Sequence, residues 1–257
     1  MNYGYLTDPG KVRDHNEDSV IIVKDMNNEV LLAVADGMGG HRNGEVASSI
    51  AISHIGKRFA DISSVGTKED AINFIKEIVS EANVLIYKHT SSHPESVGMG
   101  TTIVLAILTN NFLLFGNIGD SSGYVIKNDK IHKVTTDHTL VNLLVKSGEL
   151  TKEEAKEHPR KNVLMGFTMG LVERLQKALG ATNTVEMDVI SIDEEVDGIL
   201  LCSDGLTNML TDEQITKVLN ENIPIDEKLK KLVIKCNNRG GTDNISIAYL
   251  VKEEKHD

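Results

Sequence analysis

The 257-residue chain has no tryptophan, four prolines and two cysteines. Aromatic residues make up 4% of it, so platforms on which nucleobases could stack are not evident. The scarcity of proline, without any low-complexity run, argues against a linker. Cys202 and Cys236 stand far apart and outside metal-ligand spacing, so there is no disulfide framework. With an N-terminus that does not read as a signal sequence, this points to a reducing cytoplasm. No apolar run approaches the roughly 18 residues of a membrane span. Basic charge is short as well: 27 Lys and Arg face 38 Asp and Glu, a net charge of -11. That balance opposes nucleic acid and anionic membranes as partners. It leaves phosphorylated substrates open, because a bound metal reverses the local sign. Nothing marks an interface between copies, and a monomer is expected.

What is present is ordinary soluble composition, 40% hydrophobic and 25% charged, in a chain long enough for one large domain or two small ones. Its most telling stretch is Leu31-Leu32-Ala33-Val34-Ala35-Asp36-Gly37-Met38-Gly39-Gly40-His41. A short apolar run suits one buried strand, and it ends in a carboxylate followed by a loop almost without side chains. Such a loop lets backbone groups approach a bound cation. Taken alone, it reads equally well as a strand stopping at a glycine-rich turn.

The same event recurs along the chain. Ser19–Lys24 pairs with Val30–Asp36 as a hairpin, which brings Glu17 and Asp18 to the strand end next to Asp36. The strand Phe112–Ile118 ends at Gly119-Asp120, Asp197–Cys202 ends at Ser203-Asp204-Gly205, and Asp243-Asn244 precedes a last strand, Ile245–Val251. Helices are predicted from Asn43, with Asn43 as cap and Val46, Ser49, Ile50, Ser53 and His54 in helical spacing. Another spans Lys68–Thr90, with Ile72, Ile75, Ile78, Val79, Ala82, Leu85 and Ile86 as its core face. Between Met165 and Ala178 an amphipathic helix is one reading, weakened by Gly166 and Gly170.

One Asp-Gly after a strand is usually a turn; Asp36, Asp120, Asp204 and Asp243 at separate strand boundaries are harder to explain that way. Carboxylates gathered without lysine raise one another's pKa, and divalent cations resolve the repulsion. All-oxygen ligands suit Mg²⁺ or Mn²⁺. Two such ions about 3.5–4 Å apart lower the pKa of a shared water toward about 7 and neutralise phosphate oxygens. Arg13, close in sequence to Glu17, has the planar fork that binds two phosphate oxygens, or else a surface ion pair.

These motifs stand in the order of a known family: Asn16-Glu17-Asp18, Ala35 to His41, Gly98-Met99-Gly100-Thr101-Thr102, Gly119-Asp120-Ser121, Thr136-Asp137-His138, Cys202-Ser203-Asp204-Gly205-Leu206 and Gly240-Gly241-Thr242-Asp243-Asn244-Ile245. The chain resembles bacterial metal-dependent serine/threonine protein phosphatases of the PPM (type 2C) family over residues 1–251, leaving 252–257 as a charged tail. The resemblance implies an α+β, four-layer α-β-β-α sandwich, two central antiparallel sheets flanked by helices. It implies two principal ions, Mn²⁺ or Mg²⁺, and a third, weaker one in bacterial members. Asp36 would bridge the pair, the Gly37 carbonyl would complete one ion, and Asp204 and Asp243 would ligate the other. Asp120, with Asp204, would hold the third. Glu17 and Asp18 would support bound waters, Arg13 would bind phosphate, and His41 could assist the leaving group. Asn244 lies near the site, and Thr101 and Thr102 would support its loop.

The implied activity is hydrolysis of phosphoserine and phosphothreonine on proteins, by direct attack of a metal-bridged hydroxide, opposing a serine/threonine kinase. A non-catalytic phosphoprotein-binding scaffold and a small-molecule phosphomonoesterase remain as alternatives. Two departures stand out. The family usually carries Arg where this chain has Ser122, and Met165 to Gln176 intervene before Ala178-Leu179-Gly180, after a flap expected over about 137–160.

Overall fold

The computed structural model describes residues 1–39, 43–158, 163–164, 167–168, 173–174 and 185–252. The chain opens with β1 (Asn2–Asp8), β2 (Asp18–Lys24) and β3 (Val30–Met38), followed by α1 (Gly44–Ala60) and α2 (Lys68–Ser92). Then come a short β4 (Gly100–Thr101), β5 (Ile103–Leu108), β6 (Leu113–Ile118), β7 (Ser122–Lys127) and β8 (Lys130–Lys133). Beyond them lie α3 (Leu140–Lys146), α4 (Lys152–Glu157), β9 (Phe167–Thr168), β10 (Glu173–Arg174) and β11 (Asp188–Ile192). The chain continues through β12 (Gly198–Cys202), α5 (Asp204–Thr207), α6 (Asp212–Leu219), α7 (Ile225–Asn238) and β13 (Ile245–Val251).

One sheet has the order β1-β13-β12-β7-β8; the other runs β11-β6-β5-β3-β2, with β4 beside β3. Neighbouring strands are antiparallel throughout both. The unbroken apolar run of β3 follows from burial of both its faces. Val30, Leu32 and Val34 point between the sheets, against Phe115, Ile199 and Leu250. Leu31, Ala33 and Ala35 point the other way, onto Ile55 and Phe59 of α1 and Ile75 of α2. Each fully buried aliphatic side chain contributes roughly 1.5–3 kcal/mol. The outer face of the first sheet is covered by α6 and α7, where Leu200, Ile247 and Tyr249 meet Ile215, Leu229 and Leu232. The layers are therefore helix, sheet, sheet, helix, as the α+β sandwich reading requires.

Local readings diverge at four places. Asn43 does not cap α1 with its side chain; it sits in the left-handed region at φ 67°, and its amide donates to Ser96 Oγ at 2.8 Å instead. The buried face of α1 is Ala47, Ser48, Ala51, Ile52, Ile55 and Phe59, one position off the expected set; small residues let the helix lie close to the sheet. Leu85 of α2 is exposed rather than core. The Met165–Ala178 segment is not one helix, because its described residues, Phe167–Thr168 and Glu173–Arg174, pair as the antiparallel strands β9 and β10.

Candidate metal centre

Asp36 lies near the end of β3, directly across the β2–β3 ladder from Asp18. Its backbone is fastened three ways. The Asp36 N–H donates to Thr102 Oγ1 at 3.0 Å, and its carbonyl accepts from Thr102 N and from Thr101 Oγ1, both at 2.9 Å. Thr102 Oγ1 is in turn bonded to Ser121 Oγ at 2.8 Å. The two threonines thus hold the strand end in place, as expected of them. The next residue has no room for a side chain. A Cβ on Gly37 would lie 2.3 Å from the Gly44 carbonyl oxygen and 2.4 Å from that of Glu17. The second of these oxygens accepts from Gly37 N at 3.1 Å.

The other sheet supplies the opposite wall. Ser203, at the end of β12, donates to Asp18 Oδ2 at 2.7 Å while its own oxygen accepts from Ser246 N at 2.9 Å, so it ties the sheets together. Asp204 follows and opens α5; Asn208 Nδ2 donates to its Oδ2 at 2.9 Å. This turn packs so closely on β13 that a Cβ on Gly205 would lie 2.0 Å from the Asn244 carbonyl oxygen. Asp243 accepts from Asn244 N and from Arg13 Nη2, each at 2.9 Å. The Asn244 amide is a clamp for the incoming N-terminal loop. Its Oδ1 accepts from Glu17 N at 2.8 Å, and its Nδ2 donates to the carbonyls of Pro9 and His15, each at 2.9 Å. Beside Arg13 a cleft of about 400 Å³ opens, lined also by Val12, His15, Glu17, Asn43 and Glu45.

Asp120 arrives from the end of β6. Gly119 N donates to His138 Nδ1 at 3.0 Å, and His138 N donates back to the Gly119 carbonyl at 2.8 Å. A ring nitrogen that accepts leaves the proton on Nε2, which faces Asp188 Oδ2 at 2.8 Å. His138 and Asp188 therefore position the turn that carries Asp120.

Desolvation and mutual repulsion push these carboxyl groups upward. Burial first, then Asp18, Asp204, Asp120 and Asp243, hold Asp36 well above the usual carboxylate range. Burial raises Asp18 to about 7 and Asp204 to about 6, in each case with Asp243 adding to the effect. Asp120 is raised to about 8 by burial, Asp204 and Asp137. Glu17 is also raised, by burial and then by Glu45. One oxygen each of Asp18 and Asp204 is buried without a hydrogen-bond partner among the described residues. A cluster of this kind fits divalent cations, which supply the missing partner and remove the repulsion. Among the described residues no three His, Cys, Asp or Glu side chains close into a ready-made cage.

The structure thus brings Arg13, Glu17, Asp18, Asp36, Gly37, Asp120, Asp204, Asp243 and Asn244 to one end of the sandwich. His41 lies outside the described residues, as does most of the Met165–Gln176 segment. Sequence reasoning missed Ser203 and the Gly119–His138 staple, which depend on partners far along the chain. It also expected an acid cluster without lysine. Lys133 instead reaches Asp137, with Nζ 2.7 Å from Oδ1 and 2.8 Å from Oδ2, and bears electrostatically on Asp120.

Residues 11–240 match the family described as Protein phosphatase 2C. The serine/threonine phosphatase stp of Listeria welshimeri is 36% identical over 251 residues, covering 97% of this chain and 95% of that protein. The solved structure of the S. agalactiae serine/threonine phosphatase superposes with a TM-score of 0.87 at 33% identity, over 98% of this chain and 99% of that one. The catalytic domain of the serine threonine protein phosphatase PstP, solved in complex with 2 manganese ions, aligns at a TM-score of 0.80 and 31% identity, over 96% of each chain. Matched across nearly its whole length in sequence and in fold, this chain belongs to the protein phosphatase 2C family.

Proposed function

We propose that this protein hydrolyses phosphoserine and phosphothreonine on proteins, with Mn²⁺ or Mg²⁺ at the acid cluster. The observation that carries this reading is the meeting of carboxylates from both sheets at one end of the sandwich, two of them with a buried oxygen unpartnered among the described residues, and Arg13 on the rim. Asp36, the Gly37 carbonyl, Asp204 and Asp243 would hold the ions. Glu17 and Asp18 would bear on the waters around them. When bound, such ions neutralise phosphoryl oxygens and lower the pKa of water toward about 7.

The chain's own groups do the rest. Asp243 holds Arg13 by a single guanidinium nitrogen, which leaves other donors of the fork to orient a phosphate. Thr101 and Thr102 fix the backbone beneath Asp36, and Asn244 fixes the loop carrying Glu17. Water replaces the serine or threonine oxygen on phosphorus in one displacement, giving phosphate and the free alcohol. A phosphocysteine route lacks its nucleophile. Both cysteines are buried, and burial raises the Cys202 thiol far above its ordinary value and the Cys236 thiol to about 11. The relatives named as serine/threonine phosphatases support protein substrates, and we propose a serine/threonine kinase among them.

The test is phosphate release from a phosphothreonine peptide and from p-nitrophenyl phosphate, with Mn²⁺ and with EDTA. We expect Mn²⁺-dependent turnover, higher efficiency on the peptide, and a loss of on the order of 100-fold or more in Asp204→Asn. Turnover in EDTA, or full activity in Asp204→Asn, overturns the proposal.

A further inference from the structure

We propose that Lys133 is a built-in cation at the Asp120 corner of the acid cluster, that it takes the place of a third divalent ion there, and that the chain therefore holds two metal ions tightly. This rests on reading the cluster as a metal centre.

The corner is built by the staple between two segments. Gly119 and His138 bond to each other in both directions, at 3.0 and 2.8 Å. Asn117, buried beneath them, donates through Nδ2 to the carbonyls of Gly119 and Thr136, at 3.4 and 3.1 Å. Residues 117–120 therefore lie against residues 136–138. Asp120 and Asp137 flank the stapled pair, one following Gly119 and the other preceding His138. Asp204 is the neighbouring carboxylate that acts most strongly on Asp120, and Asp137 is next. Asp120 and Asp137 thus stand on the two stapled segments, one on each.

Lys133 reaches the Asp137 side of this corner from the end of β8. Its backbone is placed by pairing with Tyr124, and the following residue is pinned where Val134 N donates to the Gly123 carbonyl at 2.8 Å. The ammonium then reaches both oxygens of Asp137, at 2.7 and 2.8 Å, with each side chain about two-thirds covered. Its charge opposes, as the smallest of the influences on Asp120, the upward push of burial and of the neighbouring acids. Ser122, buried opposite Cys202 at the start of β7, brings no charge to the same wall.

A lysine ammonium is a compact point charge with three donors. While it holds Asp137, the ammonium donates to Oδ2 and lies within ion-pair distance of Oδ1, so its charge already balances that carboxylate. A divalent ion arriving at Asp120 meets a like charge in the same corner, in a setting that screens poorly. Lys133 must withdraw before the ion can settle.

Counting Mn²⁺ per chain by equilibrium dialysis and titration calorimetry tests this. The protein is expected to bind two ions tightly. Lys133→Gln is expected to gain a third, or to tighten it by at least about tenfold. Lys133→Arg, which keeps the charge, is expected to match the parent protein. Adding Asp120→Asn to Lys133→Gln is expected to remove the gained ion and so assign it to this corner. If Lys133→Gln does not melt cooperatively, Lys133→Met, which retains the aliphatic stem, carries the same test. Three tightly bound ions in the parent protein, or unchanged stoichiometry and affinity in Lys133→Gln, overturns the inference alone. Binding of no Mn²⁺ by any form overturns it together with the metal-centre reading.

Discussion

The β2–β3 hairpin buries a carboxylate at each of its ends, and the two ends satisfy them differently. Asp25, at the turn, and Asp18, at the open end, are each 7% exposed. Asp25 Oδ1 accepts from the backbone N–H groups of Asn27 and Glu29, at 2.8 and 2.9 Å, closing a turn in which Asn28 takes φ 61°. Its partners are two and four residues away, so it stabilises local structure. Asp18 accepts from Ser203, 185 positions along the chain, and faces Asp36 across the ladder. Both residues are little exposed, and each keeps one oxygen without a hydrogen-bond partner among the described residues, so neither feature alone marks function. What separates them is whether local backbone groups answer the carboxylate, or whether it is gathered with other carboxylates from two sheets.

The sharpest way to break this comparison is to place the same conservative change at each end, beginning with Asp36→Asn. Asparagine keeps the shape and leaves the backbone bonds to Thr101 and Thr102 intact, but it removes the charge a metal pair needs. Turnover is expected to fall by roughly 10³-fold, as loss of several kcal/mol of charge stabilisation implies. Stability is expected to move the other way. At pH 8 without metal, the variant loses a carboxylate that Asp18, Asp204 and Asp120 repel, and it should melt above the parent protein. Added Mn²⁺ should reverse that order, because only the parent gains ligand stabilisation. A variant that melts lower in EDTA, or keeps its activity, would show that the open end is structural like the turn.

A change of pH probes the open end as a group. Asp18, Asp204 and Asp120 have folded-state values near 7, 6 and 8, above the ordinary carboxylate value. Between about pH 4 and 8 the metal-free folded protein therefore holds more protons than the unfolded chain. Its stability is greatest at the acid end of this window and falls as pH rises through the folded values. The slope approaches roughly 1.4 kcal/mol per pH unit for each group that is protonated in the folded state and ionised in the unfolded chain. Thermal melts in EDTA from pH 5 to 8 should show the decline, and saturating Mn²⁺ should flatten or invert it. A metal-free melting temperature that rises with pH would contradict the clustering.

Much of this contrast was legible in the sequence, because strands that end in acids announce themselves locally. Asp36, Asp120, Asp204 and Asp243 all follow or precede apolar runs that proved to be strands. Period-2 and period-3.6 patterns placed most elements, and Thr151 forms its expected capping box. What escaped was set by contacts between distant residues. The face of α1 shifted because close packing on the sheet selects small residues, and Asn43 spends its amide on Ser96 rather than on a helix end. Asn244 binds Pro9, His15 and Glu17 across more than 220 positions, and no local pattern announces that. Lys133 was invisible as a site residue because a charged residue in a hairpin reads as solvated until Asp137 is placed beside it.

The smallest effect is expected at the turn. Asp25→Asn retains an oxygen that can accept from Asn27 and Glu29, so the turn survives. It also removes a charge that burial and Glu29 raise to about 6. These effects offset one another, and stability is expected to stay within about 0.5 kcal/mol. Turnover is expected to stay within about twofold, because the turn lies some 20 Å of strand from Asp36. Asp25→Ala leaves two backbone N–H groups without their acceptor and is expected to cost about 1–2 kcal/mol, again with turnover per folded molecule retained. Urea melts and specific activity measured on the same preparations separate the two quantities. If Asp25→Asn impaired turnover as Asp36→Asn does, a buried carboxylate answered by local backbone would be as tightly bound to function as one in the cluster, and partner chemistry would no longer distinguish the ends of the hairpin.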